Sequence, residues 1–145
     1  MKRLTIGLVL VALLLAGCKG KSIEGKWTAT GAGDNAKHSM NVEFTAPDKV
    51  TMVMEISGVG GSGKLNITGT YKLDGDTLAI NSTDITLDAT GPQAAATKKQ
   101  FEQMKPMMLK DLNDSASGKV VWTDNDKFTF TAGKKPDVTT FTRVK

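Results

Sequence analysis

The sequence predicts a mainly β protein, an antiparallel up-and-down β-barrel of about eight strands with one inserted helical segment near residues 93–113. Three observations favour this fold. Apolar and polar residues alternate over most of the chain, which is typical of strands with one buried face. Short turn signals separate the alternating runs, as in antiparallel meanders. One segment changes to helical spacing after Gly91-Pro92.

The alternating runs are short and follow one another closely. Later runs cover residues 120–123 and 128–131, and a last one covers 139–144. Because successive side chains on a strand point to opposite faces, the apolar set is expected to line the barrel interior. In the middle of the chain this set comprises Met40, Val42, Phe44, Val50, Met52, Met54, Ile56, Leu65, Ile67, Tyr71, Leu73, Leu78, Ile80, Ile85 and Leu87.

Turn residues separate these runs. Asp74-Gly75-Asp76 is a hairpin signal, because glycine adopts the backbone conformations that close tight turns. Residues 46–49 and 124–127 separate alternating runs in the same way. The glycine- and serine-rich stretch 58–63 predicts a looser connection. Connections this short indicate antiparallel neighbours.

Residues 93–113 form the inserted helical segment. Its apolar face comprises Phe101, Met104, Met108 and Leu112. Pro106 removes a backbone donor and restrains the residue before it, which predicts a kink or two short helices meeting there. Two placements remain open, a cover over one open end of the barrel or a mobile lid over a ligand entrance.

The first residues have the layout of a secretory signal. Lys2 and Arg3 precede an apolar core at 4–15, which is shorter than the roughly 20 residues that cross a bilayer. The tetrapeptide Leu15-Ala16-Gly17-Cys18 resembles the lipobox of bacterial lipoproteins, in which the cysteine is acylated. Cys18 is the only cysteine, so internal disulfides are excluded. The alternative is an ordinary secretory signal that happens to precede a cysteine.

Three segments are therefore expected. They are a signal peptide at 1–17, a lipidated tether at 18–24 that begins at Cys18, and a single barrel domain at 25–145. Acyl chains such as palmitate would hold the protein at a membrane. The residue after the cysteine is Lys19, not the aspartate that retains lipoproteins at the inner membrane. This resemblance implies the periplasmic side of the outer membrane in a Gram-negative host, or the outside of the cytoplasmic membrane in a Gram-positive one.

The charge balance excludes one class of partner. Removal of Lys2 and Arg3 with the signal leaves 17 basic and 15 acidic side chains. Nucleic-acid binding requires a basic surface, so no nucleic-acid partner is expected.

The start of the barrel carries a short motif, Gly25-Lys26-Trp27. Glycine, any residue and tryptophan on a first strand resemble the lipocalins and related small calycin-type domains, as does the stretch 69–78. In that family the tryptophan packs across one end of the barrel, beside an arginine from a late strand. The resemblance implies that Trp27 and Arg143 are structural residues joined by a cation–π contact.

Candidate chemistry is sparse. His38 is the only histidine, and Ser39 beside it would point to the opposite face of a strand. The interpretation is a surface histidine, no enzyme activity and no cofactor. Methionines are the most unusual residues, and thioether sulfur suits monovalent copper or silver. Because Met40, Met52 and Met54 share the inward phase, adaptable apolar filling is the preferred interpretation, with no metal site.

Two functions of this barrel follow as expectations. In the first, the interior holds a small hydrophobic ligand on Met40, Met52, Met54, Ile67 and Tyr71, and the helical segment gates it. In the second, the interior is packed solid and the outer surface contacts or inhibits an envelope protein. In both, the N-terminal lipid makes the membrane a partner. A ligand-sized cavity of about 300–1,000 Å³ inside the barrel would separate the two.

Overall fold

The structure is a computed structural model, and it describes residues 21–31, 39–58, 61–133 and 138–145. It shows a closed antiparallel barrel in which each strand pairs with the next and the last pairs with the first, as the sequence predicts. The elements are β1 (Gly25–Gly31), β2 (Ser39–Thr45), β3 (Lys49–Gly58), β4 (Gly61–Asp74), β5 (Thr77–Thr90), α1 (Ala94–Ser115), β6 (Ser117–Asp124), β7 (Lys127–Ala132) and β8 (Val138–Arg143).

The predicted turns are confirmed at three places, between β2 and β3, between β4 and β5, and between β6 and β7. Gly75 has a φ of +60°, the left-handed conformation that favours glycine in a tight turn. The connection predicted at 58–63 is wrong in extent, because β3 continues to Gly58 and β4 already begins at Gly61. Cross-strand hydrogen bonds hold these small residues as strand despite their low β propensity.

A β-bulge divides β5. Gly69 of β4 pairs with Ser82, but Thr68 pairs with Asp84, so Thr83 is an extra residue on β5. The inward set therefore changes phase, from Leu78 and Ile80 before the bulge to Ile85 and Leu87 after it. The bulge explains why two separate apolar pairs in the sequence belong to a single 14-residue strand.

The helical prediction is confirmed in place and nearly in length, since α1 covers Ala94–Ser115. The predicted alternative of two short helices meeting at Pro106 is wrong, because α1 is one continuous helix with Pro106 inside it. Proline removes one backbone hydrogen bond, and the adjacent turns are held independently. Phe101, before the proline, is buried in the core, and Met108, after it, packs against the core.

The helix lies along β5 and not across an end of the barrel. Only residues 77–79 of β5 pair with β6, so the rest of this strand has a free edge. The helix follows that edge in the opposite direction. Asn113 replaces a strand partner there, because its side-chain oxygen accepts from the Ser82 N–H at 2.7 Å and its amide donates to the Ser82 carbonyl at 3.0 Å.

These two hydrogen bonds between Asn113 and Ser82 are expected to hold the helix to the sheet. Asn113→Ala leaves the backbone N–H and carbonyl of the buried Ser82 without partners and should lower the free energy of unfolding by about 1–3 kcal/mol. Urea unfolding followed by circular dichroism measures the change. Lys110→Ala, an exposed position on the same helix, is the matched control. Equal losses of unfolding free energy in the two variants would contradict a stabilising role of the Asn113–Ser82 hydrogen bonds.

An aromatic cluster of the core lies at one end of the barrel, here called the tryptophan end, where the turns after β2, β4 and β6 lie. Trp27 and Phe128 are fully buried there, with ring centroids 4.8 Å apart. Phe128 stacks on Phe141 at 4.5 Å, and Trp122 lies 4.9 Å from Phe128. The opposite end, here called the methionine end, contains Met40 and Met54 and the passage from β5 to α1.

Candidate functional site

Arg143 closes the tryptophan end. Its guanidinium carbon lies 4.2 Å from the centroid of the Trp27 ring, the contact that the sequence predicts. The Arg143 Nε lies 3.2 Å from a carboxylate oxygen of Asp126. Its two terminal nitrogens donate to the backbone oxygens of Glu24 and Ser22, both at 2.7 Å. The charge is therefore compensated by a carboxylate, two carbonyls and an aromatic face.

Gly25 makes this closure sterically feasible. It has a φ of +120°, which side chains other than glycine rarely adopt. A Cβ atom there would also lie 2.6 Å from a terminal nitrogen of Arg143. The glycine of the Gly25-Lys26-Trp27 motif thus leaves room for the Arg143 side chain, and the tryptophan ring stacks against its guanidinium.

The segment before β1 is also held. Ile23 is buried, and its carbonyl accepts a 2.7 Å hydrogen bond from the Trp27 indole nitrogen. Together with the two carbonyls bound by Arg143, this fixes residues 22–24 against the tryptophan end. The expected tether at 18–24 is therefore packed on the barrel from residue 22 onward. Residues 1–17 and Cys18 lie outside the described residues.

The five residues expected to bind a ligand occupy three levels of the barrel. Met52 and Ile67 are register partners in the buried middle layer. Met40 and Met54 are paired with each other at the methionine end, where both are half-buried. Tyr71 lies towards the tryptophan end, where its ring contacts Phe44 at 5.0 Å and its backbone N–H donates to Asp48. The strand register therefore spreads the five side chains along the barrel.

Tyr71 is further characterised by its environment. Burial raises the pKa of its phenol, and the carboxylates of Glu24 and Asp48 raise it further. The phenol is therefore neutral at physiological pH and keeps its proton for donation.

The methionine end contains a band of half-buried apolar side chains. Met54 is paired with Leu65, and Leu65 is paired with Leu87, so Met40, Met54 and Leu87 belong to one continuous band across β2 to β5. Leu65 is buried, whereas the other members are only partly covered. Partly covered apolar side chains also occur at the tryptophan end, at Tyr71, Leu73 and Trp122.

A groove lies on the outer wall of the barrel, over β1, β2 and β3. Its volume is about 380 Å³, within the range of ligand-sized cavities. The outward side chains of Lys26 and Glu43 are paired across the strands, and Val53 and Val144 add apolar surface. No sequence signal pointed to this groove, because its lining comes from outward side chains of three strands that only the barrel register brings together.

An ion pair joins the helix to β5. The Lys105 ammonium lies 2.7 Å from a carboxylate oxygen of Asp84, beside the bulge. The hydrogen bond from Lys105 holds the pKa of Asp84 below its ordinary value of 3.8. The same bond holds the pKa of Lys105 above its ordinary value of 10.5. Both groups are therefore charged throughout the neutral range.

The pair predicts a pH dependence of stability. The contribution of Asp84 is present above its ordinary pKa and is lost as pH falls through the lowered folded value. The contribution of Lys105 is present below its ordinary pKa and is lost as pH rises through the raised folded value. The difference in urea midpoint between wild type and Lys105→Met should be constant from about pH 5 to 9 and should shrink below about pH 4 and above about pH 10. A difference that persists unchanged at about pH 2 would contradict this.

Residues for catalysis or metal binding are few. His38 lies outside the described residues, and Ser39 is exposed at the start of β2. Within the described ranges, no group of three or more histidine, cysteine, aspartate or glutamate side chains is placed to hold a metal ion. The same part of the chain contains no helix long and apolar enough to span a bilayer.

Comparison with protein-family models and with curated proteins finds no match to this chain. The fold is compatible with a lipocalin-like barrel on its strand number and closure alone.

Proposed function

We propose that this chain is a lipid-anchored envelope protein whose non-catalytic barrel binds a small hydrophobic molecule at the methionine end. Acylation of Cys18 after removal of residues 1–17 would supply the anchor, and the outer membrane of a Gram-negative host is the proposed location. The signal layout and the lipobox-like tetrapeptide support this part of the proposal.

The observation that carries the ligand proposal is the partly covered methionine band. Met40, Met54 and Leu87 lie side by side across β2 to β5 and are only partly buried, whereas Arg143 lies over the Trp27 ring at the opposite end. Methionine side chains are unbranched and polarizable, so they adapt to apolar ligands of varied shape. A ligand of this class needs apolar contact more than hydrogen bonds, which suits an interior with few polar side chains.

A second candidate is a solid barrel that acts through its outer surface on an envelope protein. The contiguous packing of Trp27, Phe128, Phe141 and Phe44 favours it, because these rings fill much of the interior. The groove over β1–β3 is then the first surface to mutate.

Native mass spectrometry of the mature domain, with Cys18→Ser and purified gently from its host periplasm, tests the ligand proposal. An extra mass of lipid size that denaturation removes is the expected result. Met54→Gln should reduce the occupied fraction, since burying an amide without partners costs about 1–3 kcal/mol and so weakens binding about fivefold or more. Met107→Gln, on an exposed position of α1, is the matched control and should retain the ligand.

A bare mass for wild type, unchanged after incubation with envelope lipids, would overturn the ligand proposal in favour of the second candidate. The intact mass of the full-length protein extracted from membranes tests the anchor separately. Acyl groups should add their mass at Cys18 and should be absent from the Cys18→Ser variant.

A further inference from the structure

We propose that the tryptophan end of the barrel faces the membrane surface and the methionine end faces away from it. This inference rests on the proposed acylation of Cys18 and deepens it, because it assigns the lipid-facing surface and the direction from which a ligand enters.

Residues 22–24 are held at the tryptophan end. The carbonyls of Ser22 and Glu24 each accept a 2.7 Å hydrogen bond from Arg143, and the carbonyl of buried Ile23 accepts one from the Trp27 indole. The link between Ser22 and Cys18 is short, because only Lys19, Gly20 and Lys21 lie between them.

The reach of that link is short. Four residue steps, from Cys18 to Ser22, span at most about 14 Å even when fully extended. The far end of the barrel lies much further away. The 14 residues of β5, tilted as barrel strands are, place the methionine end roughly 30 Å beyond the tryptophan end. An acylated Cys18 therefore holds one end at the lipid head groups and leaves the other in the aqueous phase.

Charge does not enforce this orientation. The turns at the tryptophan end carry Asp74, Asp76 and Asp124, with lysines such as Lys127 and Lys145 among them. This surface is mixed and not a basic patch that attracts anionic lipids. The covalent link alone then sets the distance, so the orientation should be insensitive to salt.

The competing arrangement is a barrel lying on its side with α1 against the membrane. The helix exposes Met104 and Met107 and carries several lysines, features that also occur in helices bound at membrane surfaces. Its exposed apolar surface is confined to these two side chains, because Phe101 is buried and Met108 packs against the core. Two methionines on an otherwise polar face favour the upright arrangement.

Cysteine labelling tests the orientation, because acylation consumes the only native cysteine. Each variant contains one added cysteine that carries an environment-sensitive fluorophore. The three variants are Asn125→Cys at the tryptophan end, Gln93→Cys at the methionine end and Gln103→Cys on α1. The full-length acylated variants are placed in phosphatidylcholine vesicles that contain a head-group spin-labelled lipid. Quenching at residue 125 should exceed that at residues 93 and 103 at least threefold, equally at low and high salt.

A matched control lengthens the link without touching the barrel. A flexible insertion of 20 glycine and serine residues after Lys19 should remove the difference between residues 125 and 93, because its span then approaches the length of the barrel. Equal quenching at residues 125 and 103 in the unmodified link, or stronger quenching at residue 93, would overturn the inference.

The orientation and the anchor can fail separately. If intact mass shows that Cys18 carries no acyl group, the proposed anchor fails. The same labelled variants can then be prepared with serine at residue 18 as the first residue, and a synthetic lipid can be coupled to that N-terminus. Their fluorescence quenching still reports which end of the barrel faces the vesicle.

Discussion

Replacing Trp27 with alanine is expected to lower the free energy of unfolding by about 4 kcal/mol, near the upper end of what single core substitutions cost. The side chain is fully buried and contacts the rings of Trp122 and Phe128. Alanine would leave a cavity between these rings, and the core can collapse into it only partly because the barrel wall is closed. A domain with about 5–15 kcal/mol of total stability would lose about a quarter or more of it.

The loss also extends beyond packing. The Trp27 indole donates to the carbonyl of buried Ile23, and its face supports the guanidinium of Arg143. Trp27→Phe retains an aromatic ring beneath Arg143 but removes the indole donor. Its loss of unfolding free energy should therefore be smaller and should arise largely from weaker attachment of residues 22–24. Urea unfolding followed by far-ultraviolet circular dichroism measures both.

Val121→Ala is the control for this pair, since Val121 is an exposed strand residue beside Trp122 and should change stability by less than about 0.5 kcal/mol. A loss below about 1 kcal/mol for Trp27→Ala would show that the aromatic cluster does not hold the tryptophan end together.

Gly69→Ala is expected to cost about 3 kcal/mol, a large effect for the addition of one methyl group. A Cβ atom at this position would overlap the backbone oxygen of Asn81 and lie 2.9 Å from the Cα of Ser82. Both obstacles are backbone atoms of the neighbouring strand, so no side-chain rotation relieves the overlap. The sheet would have to open at the bulge, where Asn113 and Asp84 also hold α1.

The matched control is Gly133→Ala. A Cβ atom there would lie 3.4 Å from the carbonyl oxygen of Ser117, which is ordinary van der Waals contact. Thermal unfolding should show a lower midpoint for Gly69→Ala and little change for Gly133→Ala. Similar midpoints for the two variants would indicate that the β4–β5 backbones are further apart than the structure places them.

Several elements could be predicted from the sequence because local patterns determine them. Period-2 alternation places Val42, Phe44 and Val50 on one face whatever their neighbours are, and all three are buried. Gly75 sets the turn between β4 and β5 through its own backbone freedom. The switch to helical spacing locates α1 to within two residues of its observed end.

Other features depend on contacts between distant residues. The bulge in β5 arises where Gly69 lets two backbones approach, and the alternation in β5 shows only that the phase changes. The binding partners of Asn113 lie 31 residues away in sequence, so its role could not be read from its position on a helix. The five residues expected in one ligand site share a phase but differ in depth, because phase assigns a face of a strand and not a level of the barrel.

The sequence by itself determined the strand order, the tight turns, the inward side chains and the helical insertion, since each depends on residues close together along the chain. The contact of Arg143 with Trp27 was predicted from a family motif, and the structure adds that the same arginine binds Ser22 and Glu24. The helix placement along β5, the outer groove and the contacts that hold residues 22–24 were decided by tertiary structure. Each depends on register and closure, which bring together residues as far apart as 22 and 143 and leave no local pattern in the sequence.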